Sequence, residues 1–233
     1  MARPRVLLTG FGPFPGVPNN PSAWLAERLA EQRPTPDFDG EINAQILPTE
    51  WESAALMPRL YETLQPHVMI HFGVSERART FRIERSAHNR AALRQDATGA
   101  LPLGPAIRSD GPDRFDTKLP AAALAAHLKT CGLPAVASRS AGGYLCNFLY
   151  YHSLDWARGQ TEPPLVLFVH IPPLSARGGP VSEATLLQGA HEILRFVVTF
   201  ASAQDPAKAT IGPVFARGEA MPQAEAMLRA KDA

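Results

Sequence analysis

The stretch SAGGYLCNFLYYHSL, from Ser140 to Leu154, sets Cys146 just behind a Gly-Gly pair and inside an apolar run. Gly142 and Gly143 allow a tight strand-to-helix turn and a close approach of backbone to a ligand. A helix that starts near Tyr144 puts Cys146 in its first turn. Unpaired N–H groups and the helix dipole favour negative charge there. The same N–H groups are fit to bind an oxyanion. Packing is the competing reading. Tyr144, Leu145, Phe148, Leu149 and Tyr151 describe a buried helix, and free cysteine is among the most buried residue types. Composition by itself favours packing. The second cysteine, Cys131, sits at a helix end with no glycine turn or histidine-bearing strand nearby, and it reads as packing.

A nucleophilic cysteine needs a base, and the chain holds seven histidines. His170 closes the apolar run LVLFV, and a buried imidazole there needs a partner to offset its desolvation. His88 lies in IERSAHN near Glu84 and is a second candidate. His67, His71, His127, His152 and His191 fall at element ends or on helices and read as structural or surface residues. Glu84, in the strand-like FRIERSAHN, could orient the base. It could equally be a solvated edge charge beside Arg82 or Arg85, worth under about 1 kcal/mol. Residue physics leaves these choices open.

The elements that must position such groups are visible as apolar patterns. Strand-like runs begin at Arg5, Ile42, His67, Ala135 and Leu165. Helical patterns lie between them. One opens at Pro21, one spans EWESAALMPRLYETLQ with a bend or restart expected at Pro58, one ends at Gly132, one runs from Tyr144, and a long one runs from Ser182. Alternating strands and helices predict a single α/β domain, a mostly parallel twisted sheet with helices on both faces, resembling phosphorylase- and hydrolase-like folds. Sites in such sheets gather at the carboxyl ends of the strands. Residues 90–118, rich in Gly, Pro and Asp, read as a long loop or small excursion. Residues 1–204 are expected to form the domain. Residues 205–233 read as a C-terminal extension without assigned role, with a short helix around Gln223 to Arg229.

Several function classes are disfavoured. The chain has 233 residues, 45% hydrophobic and 19% charged, with net charge +1 and no basic block, so no nucleic-acid partner is expected. The N-terminal apolar run is too short for a signal or a membrane span. Two cysteines do not make a disulfide framework. A cytoplasmic protein without membrane partners is expected. No H-E-x-x-H, C-x-x-C or H-x-H pattern occurs, so no metal is expected. TGFGPFPG has the spacing G-x-G-x-x-x-G, and Pro13 and Pro15 remove N–H groups a phosphate would use. Nucleotide binding is therefore not expected, nor any other cofactor. Phe11 and Phe14 suggest an apolar occupant there, or core.

Four segments together resemble one family. LLTGFGPFPGVPNNPS resembles the N-terminal signature of the pyroglutamyl-peptidase I family, T-G-F-x-P-F-G-G followed by N-P-S or N-P-T. IERSAHN resembles its E-R-x-A-x-N segment, SAGGYLCNFLYY its S-A-G-x-Y-L-C-N motif, and LFVHIPPL the strand ending in its catalytic histidine. They occur in the family's order from Leu7 to Leu174. The resemblance implies a cysteine exopeptidase that removes N-terminal pyroglutamyl residues from peptides through a thioester. It makes Cys146 the nucleophile, His170 the base and acid, and Glu84 the group orienting His170, and it demotes His88. It further implies that Phe11 and Phe14 line the ring pocket, that the main chain near Val74 contacts the lactam, and that Asn20 lies by the same site. Members of the family often assemble as homo-oligomers, and no feature of this sequence compels it.

Some residues depart from the family pattern. Gly12 stands where many members carry a polar residue, and Val74 where some bacterial members carry glutamine. VSERART replaces a glycine-rich segment, and ALRQDAT, Ala92 to Thr98, replaces DARIPDN. These changes look closer to the animal-type branch. The altered loop from Arg90 to Asp113 motivates one alternative, a cysteine amidase for another blocked or cyclic N-terminus; a second, a catalytically idle homologue that binds a peptide end, is opposed by the presence of all three triad candidates.

Overall fold

The computed structural model describes residues 3–32, 34 and 38–204. The expected extension 205–233, with its short helix around Gln223 to Arg229, lies outside the described residues.

Strands form where the apolar runs occur. They are β1 (Arg5–Phe11), β2 (Glu41–Leu47), β3 (Val68–Val74), β4 (Phe81–Glu84), β5 (Ser86–His88), β6 (Arg114–Asp116), β7 (Ala135–Ser138) and β8 (Leu165–Ile171). The main sheet has the order β2-β1-β3-β8-β4-β7. Strands β2, β1, β3 and β8 are mutually parallel, and β4 and β7 are parallel to each other. The seam between the two groups is antiparallel, with Arg82 opposite His170 and Glu84 opposite Phe168. The sheet is thus mostly parallel with one reversed pair. β1, β3 and β8 are almost wholly buried, as strands covered on both faces must be.

Helices cover both faces: α1 (Pro21–Ala30), α2 (Ser53–Leu64), α3 (Ala121–Thr130), α4 (Leu145–Arg158) and α5 (Glu183–Gln204). Leu25 and Leu29 of α1, Leu124 and Leu128 of α3, and Leu186 and Ile193 of α5 pack on Ile70, Phe72, Ile83 and Val169. Met57 and Tyr61 of α2 and Leu145 and Leu149 of α4 pack on the opposite face, against Met69 and Phe168. Alternation along each strand makes this division, since successive side chains point to opposite faces. Residues 69, 71 and 73 of β3 and 166, 168 and 170 of β8 therefore share the α2–α4 face. Helix α2 runs unbroken through Pro58. The restart expected there does not occur, because packing of Met57 and Tyr61 outweighs one lost N–H bond. Helix α3 ends as read, with Gly132 in the left-handed region just beyond it. No helix among the described residues is long and apolar enough to cross a membrane.

The segment expected as a long loop is an excursion closed at its base. β5 and β6 pair antiparallel, Ser86 opposite Asp116 and His88 opposite Arg114. β6 has only three residues and no alternation to announce it. Asn89 fastens the neck of the excursion: its Nδ2 donates to Arg108 O at 2.7 Å and Gly111 O at 3.1 Å, and its Oδ1 accepts from Arg108 N at 2.9 Å.

One buried histidine belongs to the sheet itself. His71 lies in β3 with no exposed surface, its Nδ1 2.8 Å from Thr9 Oγ1. Burial pushes its pKa down from 6.5 to about 3. The unfolded chain takes a proton at this residue below about pH 6.5, while the native state resists until about pH 3. Stability contributed by neutral His71 is therefore lost as pH falls through that window. His71→Gln keeps an acceptor for Thr9 but cannot titrate. Between about pH 7 and pH 5 the parent is expected to lose about 2 kcal/mol relative to this variant. Urea unfolding at the two pH values measures it, and parallel falls would place the acid sensitivity elsewhere.

Candidate active site

Cys146 is the second residue of α4, whose N-cap, Tyr144, makes no side-chain capping bond. The turn before it needs glycine at one position: Gly142 has φ +91°, which side-chain-bearing residues rarely adopt. The first bond of the helical ladder is Phe148 N–H to Tyr144 O at 3.0 Å. The N–H groups of Leu145, Cys146 and Asn147 precede that ladder, so they point out of the helix end. Tyr144 turns its hydroxyl away, donating to Gln95 O at 2.9 Å.

The sulfur lies against the sheet at Gly73. A methyl group at Gly73 would stand 2.8 Å from Cys146 Sγ and 2.9 Å from Phe168 Cζ. Gly73 pairs with His170 in the β3–β8 ladder, so the sulfur and the imidazole sit side by side on one sheet face. On one side His170 is close enough to Cys146 for the sulfur's charge to act on it. On the other its Nδ1 lies 2.8 Å from Glu84 Oε1. Glu84 reaches it diagonally across the antiparallel seam, a distance that long side chains span. Arg82 Nε lies 3.5 Å from the same carboxylate oxygen, and Glu84 has no exposed surface. The solvated-edge alternative for Glu84 is thereby excluded.

These neighbours set the charge on His170. Burial pulls its pKa down, but a negative sulfur at Cys146 and hydrogen bonds and charge from Cys146 and Glu84 raise it to about 9. The imidazole is then protonated at neutral pH, with a proton available toward the sulfur. His88 stands apart: its Nε2 faces Arg139 O at 3.2 Å, and its main chain is gripped by α4. Cys131, at the C-cap of α3, belongs to the other face of the sheet.

The remaining expected residues gather around β1 and β3. Phe11, 5% exposed, ends β1 on the α2–α4 face. Phe14 forms a tight turn with Val17, Val17 N donating to Phe14 O at 2.8 Å. Asn20 is nearly buried and engaged within the chain. Its Oδ1 accepts from Ser22 N and Oγ at 3.1 and 2.8 Å, and its Nδ2 donates to Gly12 O at 3.0 Å. Thr49 Oγ1 donates to the same carbonyl at 2.9 Å. Asn20 thus braces the loop that carries Phe11 and Phe14. Val74 ends β3 directly after Gly73. A cleft of about 360 Å³ at the other end of the strands, lined by Pro4, His67, Leu165 and Phe200, contains none of these groups.

A uncapped helix end above a cysteine, with a histidine–carboxylate pair beside the sulfur, is the arrangement of a cysteine hydrolase. The family model described as Pyroglutamyl peptidase matches residues 4–178. "Pyroglutamyl-peptidase 1" of Mus musculus is 34% identical over 179 residues, 75% of this chain and 82% of that protein. "Pyrrolidone-carboxylate peptidase" of Clavibacter michiganensis subsp. michiganensis is 38% identical over 175 residues, 72% of this chain and 78% of its own. The crystal structure of Bacillus amyloliquefaciens pyroglutamyl peptidase I aligns with a TM-score of 0.77 at 27% identity, covering 84% of this chain and 98% of that one. The chain belongs to the pyroglutamyl peptidase family.

As a pyroglutamyl peptidase family member the chain is a cysteine peptidase by class. Overall identity to the mouse and Clavibacter proteins is similar, so it does not place the chain in the animal-type branch. The excursion is anchored to the nucleophile helix. Asn147 accepts from His88 N at 2.8 Å and donates to His88 O and Arg90 O at 2.8 and 3.0 Å. Ala92 N donates to Gly143 O at 2.6 Å, and Arg94 lies over the Tyr144 ring at 4.6 Å. Asp96 ties the far side to the β2–α2 connection through Trp51 N at 3.0 Å. Gly73 and Asn147 escaped the sequence reading. The signal for Gly73 was a glycine one residue from the end of a buried strand. The signal for Asn147 was a polar residue, fully buried here, inside an apolar helical run.

Gly73→Ala tests the fit of the sulfur. The added methyl displaces Cys146 Sγ, and a misplacement near 1 Å costs about 100-fold in rate. Alkylation of Cys146 by iodoacetamide and kcat are expected to fall together, with the fold retained by circular dichroism. Unchanged alkylation would mean that Gly73 does not set the sulfur's position.

Proposed function

We propose that this protein removes an N-terminal pyroglutamyl residue from peptides, with Cys146 as nucleophile, His170 as proton carrier and Glu84 as the group that orients and charges His170. The observation that carries the reading is the buried His170–Glu84 pair, Nδ1 to Oε1 at 2.8 Å, set beside the Cys146 sulfur on one sheet face. The sulfur attacks the lactam residue's exocyclic carbonyl carbon. Negative charge collects on the carbonyl oxygen, where the free N–H groups opening α4 are placed to receive it. The C–N bond then breaks as His170 gives its proton to the leaving amine, and the shortened peptide departs. A water attacks the thioester while His170 takes its proton. Pyroglutamic acid leaves, and the proton and charge on the Cys146–His170 pair are restored. The cycle balances with water as the only co-reactant.

The pyroglutamyl ring is flat and neutral, so its binding depends on burial plus pairing of one lactam N–H and one C=O. Phe11 and Phe14 supply apolar walls, the main chain at Val74 the polar contact, and Asn20 holds Gly12 and hence the two phenylalanines in register. A free N-terminal glutamate would bring a charged amine into that slot, which desolvation opposes.

Purified protein assayed on pyroglutamyl-coumarin amide beside the prolyl and acetyl analogues tests the reading. Cleavage of the pyroglutamyl substrate alone is expected, and Cys146→Ser and His170→Ala should abolish it. Preference for an analogue would make the protein an amidase for another N-terminus. No cleavage, with Cys146 intact, would make it a binding homologue.

The charge on His170 sets the alkaline limb. His170 must carry its proton to act as acid, so kcat/KM should fall as pH rises through about 9, an apparent value that belongs to the pair. Glu84→Gln keeps an acceptor for Nδ1 but removes one of the two negative charges that raise His170, the Cys146 sulfur being the larger. The limb should therefore move to lower pH, in both kcat/KM and Cys146 alkylation. An unmoved limb would remove Glu84 from the electrostatics of the pair. Phe14→Leu should raise KM about tenfold or more with kcat little changed. Slowed alkylation with unchanged KM would assign Phe14 to the sulfur's surroundings.

A further inference from the structure

On the sheet face away from Cys146, three side chains of ligand type converge. His127 and Cys131 stand one turn apart at the end of α3, and Glu192 faces them from α5. His127 Nε2 lies 2.9 Å from Glu192 Oε2, Cys131 Sγ lies 3.7 Å from the same oxygen, and Sγ lies 3.9 Å from Nε2. We propose that His127, Cys131 and Glu192 form a binding site for a divalent transition-metal ion, with Zn²⁺ the best fit.

The geometry argues first. Zn²⁺ bonds of about 2.0–2.3 Å in a tetrahedron separate the ligand atoms by about 3.3–3.6 Å. The three distances here lie within about 0.4 Å of those edges, so small side-chain shifts complete a tripod. All three atoms fall within 4.8 Å of one another. The two helical ligands share a face because they are four residues apart. The donor set argues second. Thiolate, imidazole and carboxylate together suit Zn²⁺, whereas Mg²⁺ and Ca²⁺ select oxygen alone.

The surroundings fit a resident ion. The His127 and Glu192 side chains are 12% and 22% exposed, which leaves a route for the ion and a fourth position for water. Arg195 Nη2 donates to Glu192 Oε2 at 2.7 Å from one turn along α5. It holds the same Oε2 that His127 and Cys131 approach, orienting the carboxylate as outer partners of metal ligands do, and the ion on that oxygen takes the place of the His127 contact. The His127 ring is also held by Phe196, centroids 5.5 Å apart. A metal here would pin the end of α3 to α5. No sequence spacing announces it, since H-x-x-x-C on one helix meets its third ligand 61 residues later.

The test uses full-length Cys146→Ser protein, which keeps the cluster and removes the other thiol. Co²⁺ is the probe. One equivalent should bind with a thiolate-to-metal charge-transfer band in the near ultraviolet, and Zn²⁺ should displace it and raise the melting temperature. Adding Cys131→Ser should abolish the band and weaken binding by at least about tenfold. Glu192→Gln should keep the band but weaken binding. A Cys146→Ser protein without the band, or a band that survives loss of Cys131, overturns the site. Unchanged affinity in Glu192→Gln removes Glu192 from it, and with it the three-ligand proposal.

Discussion

A carboxylate with no exposed surface is the constraint on which the reaction side of this molecule depends. Glu84 Oε1 meets His170 at 2.8 Å and Arg82 at 3.5 Å, and its Oε2 has no hydrogen-bond partner among the described residues. An isolated buried charge is untenable, and removing one partner of a buried pair costs about 3–5 kcal/mol. Strand β4 must therefore lie beside β8 in the one register that sets Glu84 diagonal to His170. The antiparallel seam in an otherwise parallel sheet is what provides it. Tyr150 of α4 closes the frame, its buried hydroxyl donating to Glu84 O at 3.0 Å. The helix that presents Cys146 is thus tied to the strand that charges His170.

The two sheet faces do different work. The α1–α3–α5 face is an apolar core whose only ligand-type cluster among the described residues lies at its rim. The α2–α4 face admits polar groups into its interior: Thr9 with His71, Tyr61 with Ser153, and Glu84 with His170. Each makes a hydrogen bond within the chain, while His71 Nε2 and Glu84 Oε2 have no partner among the described residues. The excursion between β5 and β6 belongs to this second face. Its bonds to Asn147, Gly143 and Tyr144 make it part of the wall beside the helix end rather than a loose appendage.

Much of the frame was legible. The runs at Arg5, His67 and Leu165 became central strands buried on both faces, and those at Ile42 and Ala135 became the edge strands. The helix opening at Pro21, the helix end at Gly132 and the glycine turn before α4 were all readable from residue type. The apolar run after Cys146 was ambiguous for a physical reason. Burial and reactivity ask for the same residue types at that point, and Cys146 is both packed against the sheet and placed at a helix start. At Pro58 the helix does not restart, because a local penalty says nothing about the packing that overrides it.

Sequence by itself determined the local elements, pointed through the family motifs to Cys146, His170 and Glu84 as the proposed catalytic set, and marked the glycine turn before α4. These depend on residue type and short-range spacing, which a chain states directly. Only the tertiary structure decided that the β4–β7 pair runs against β8 and that Glu84 lies beyond water. It alone showed that Gly73 makes room for the sulfur, that Asn20 is spent on bracing a loop, and that Cys131 meets Glu192. Each of those joins residues separated by tens of positions, and such pairings follow from how whole strands and helices pack, which no local pattern encodes.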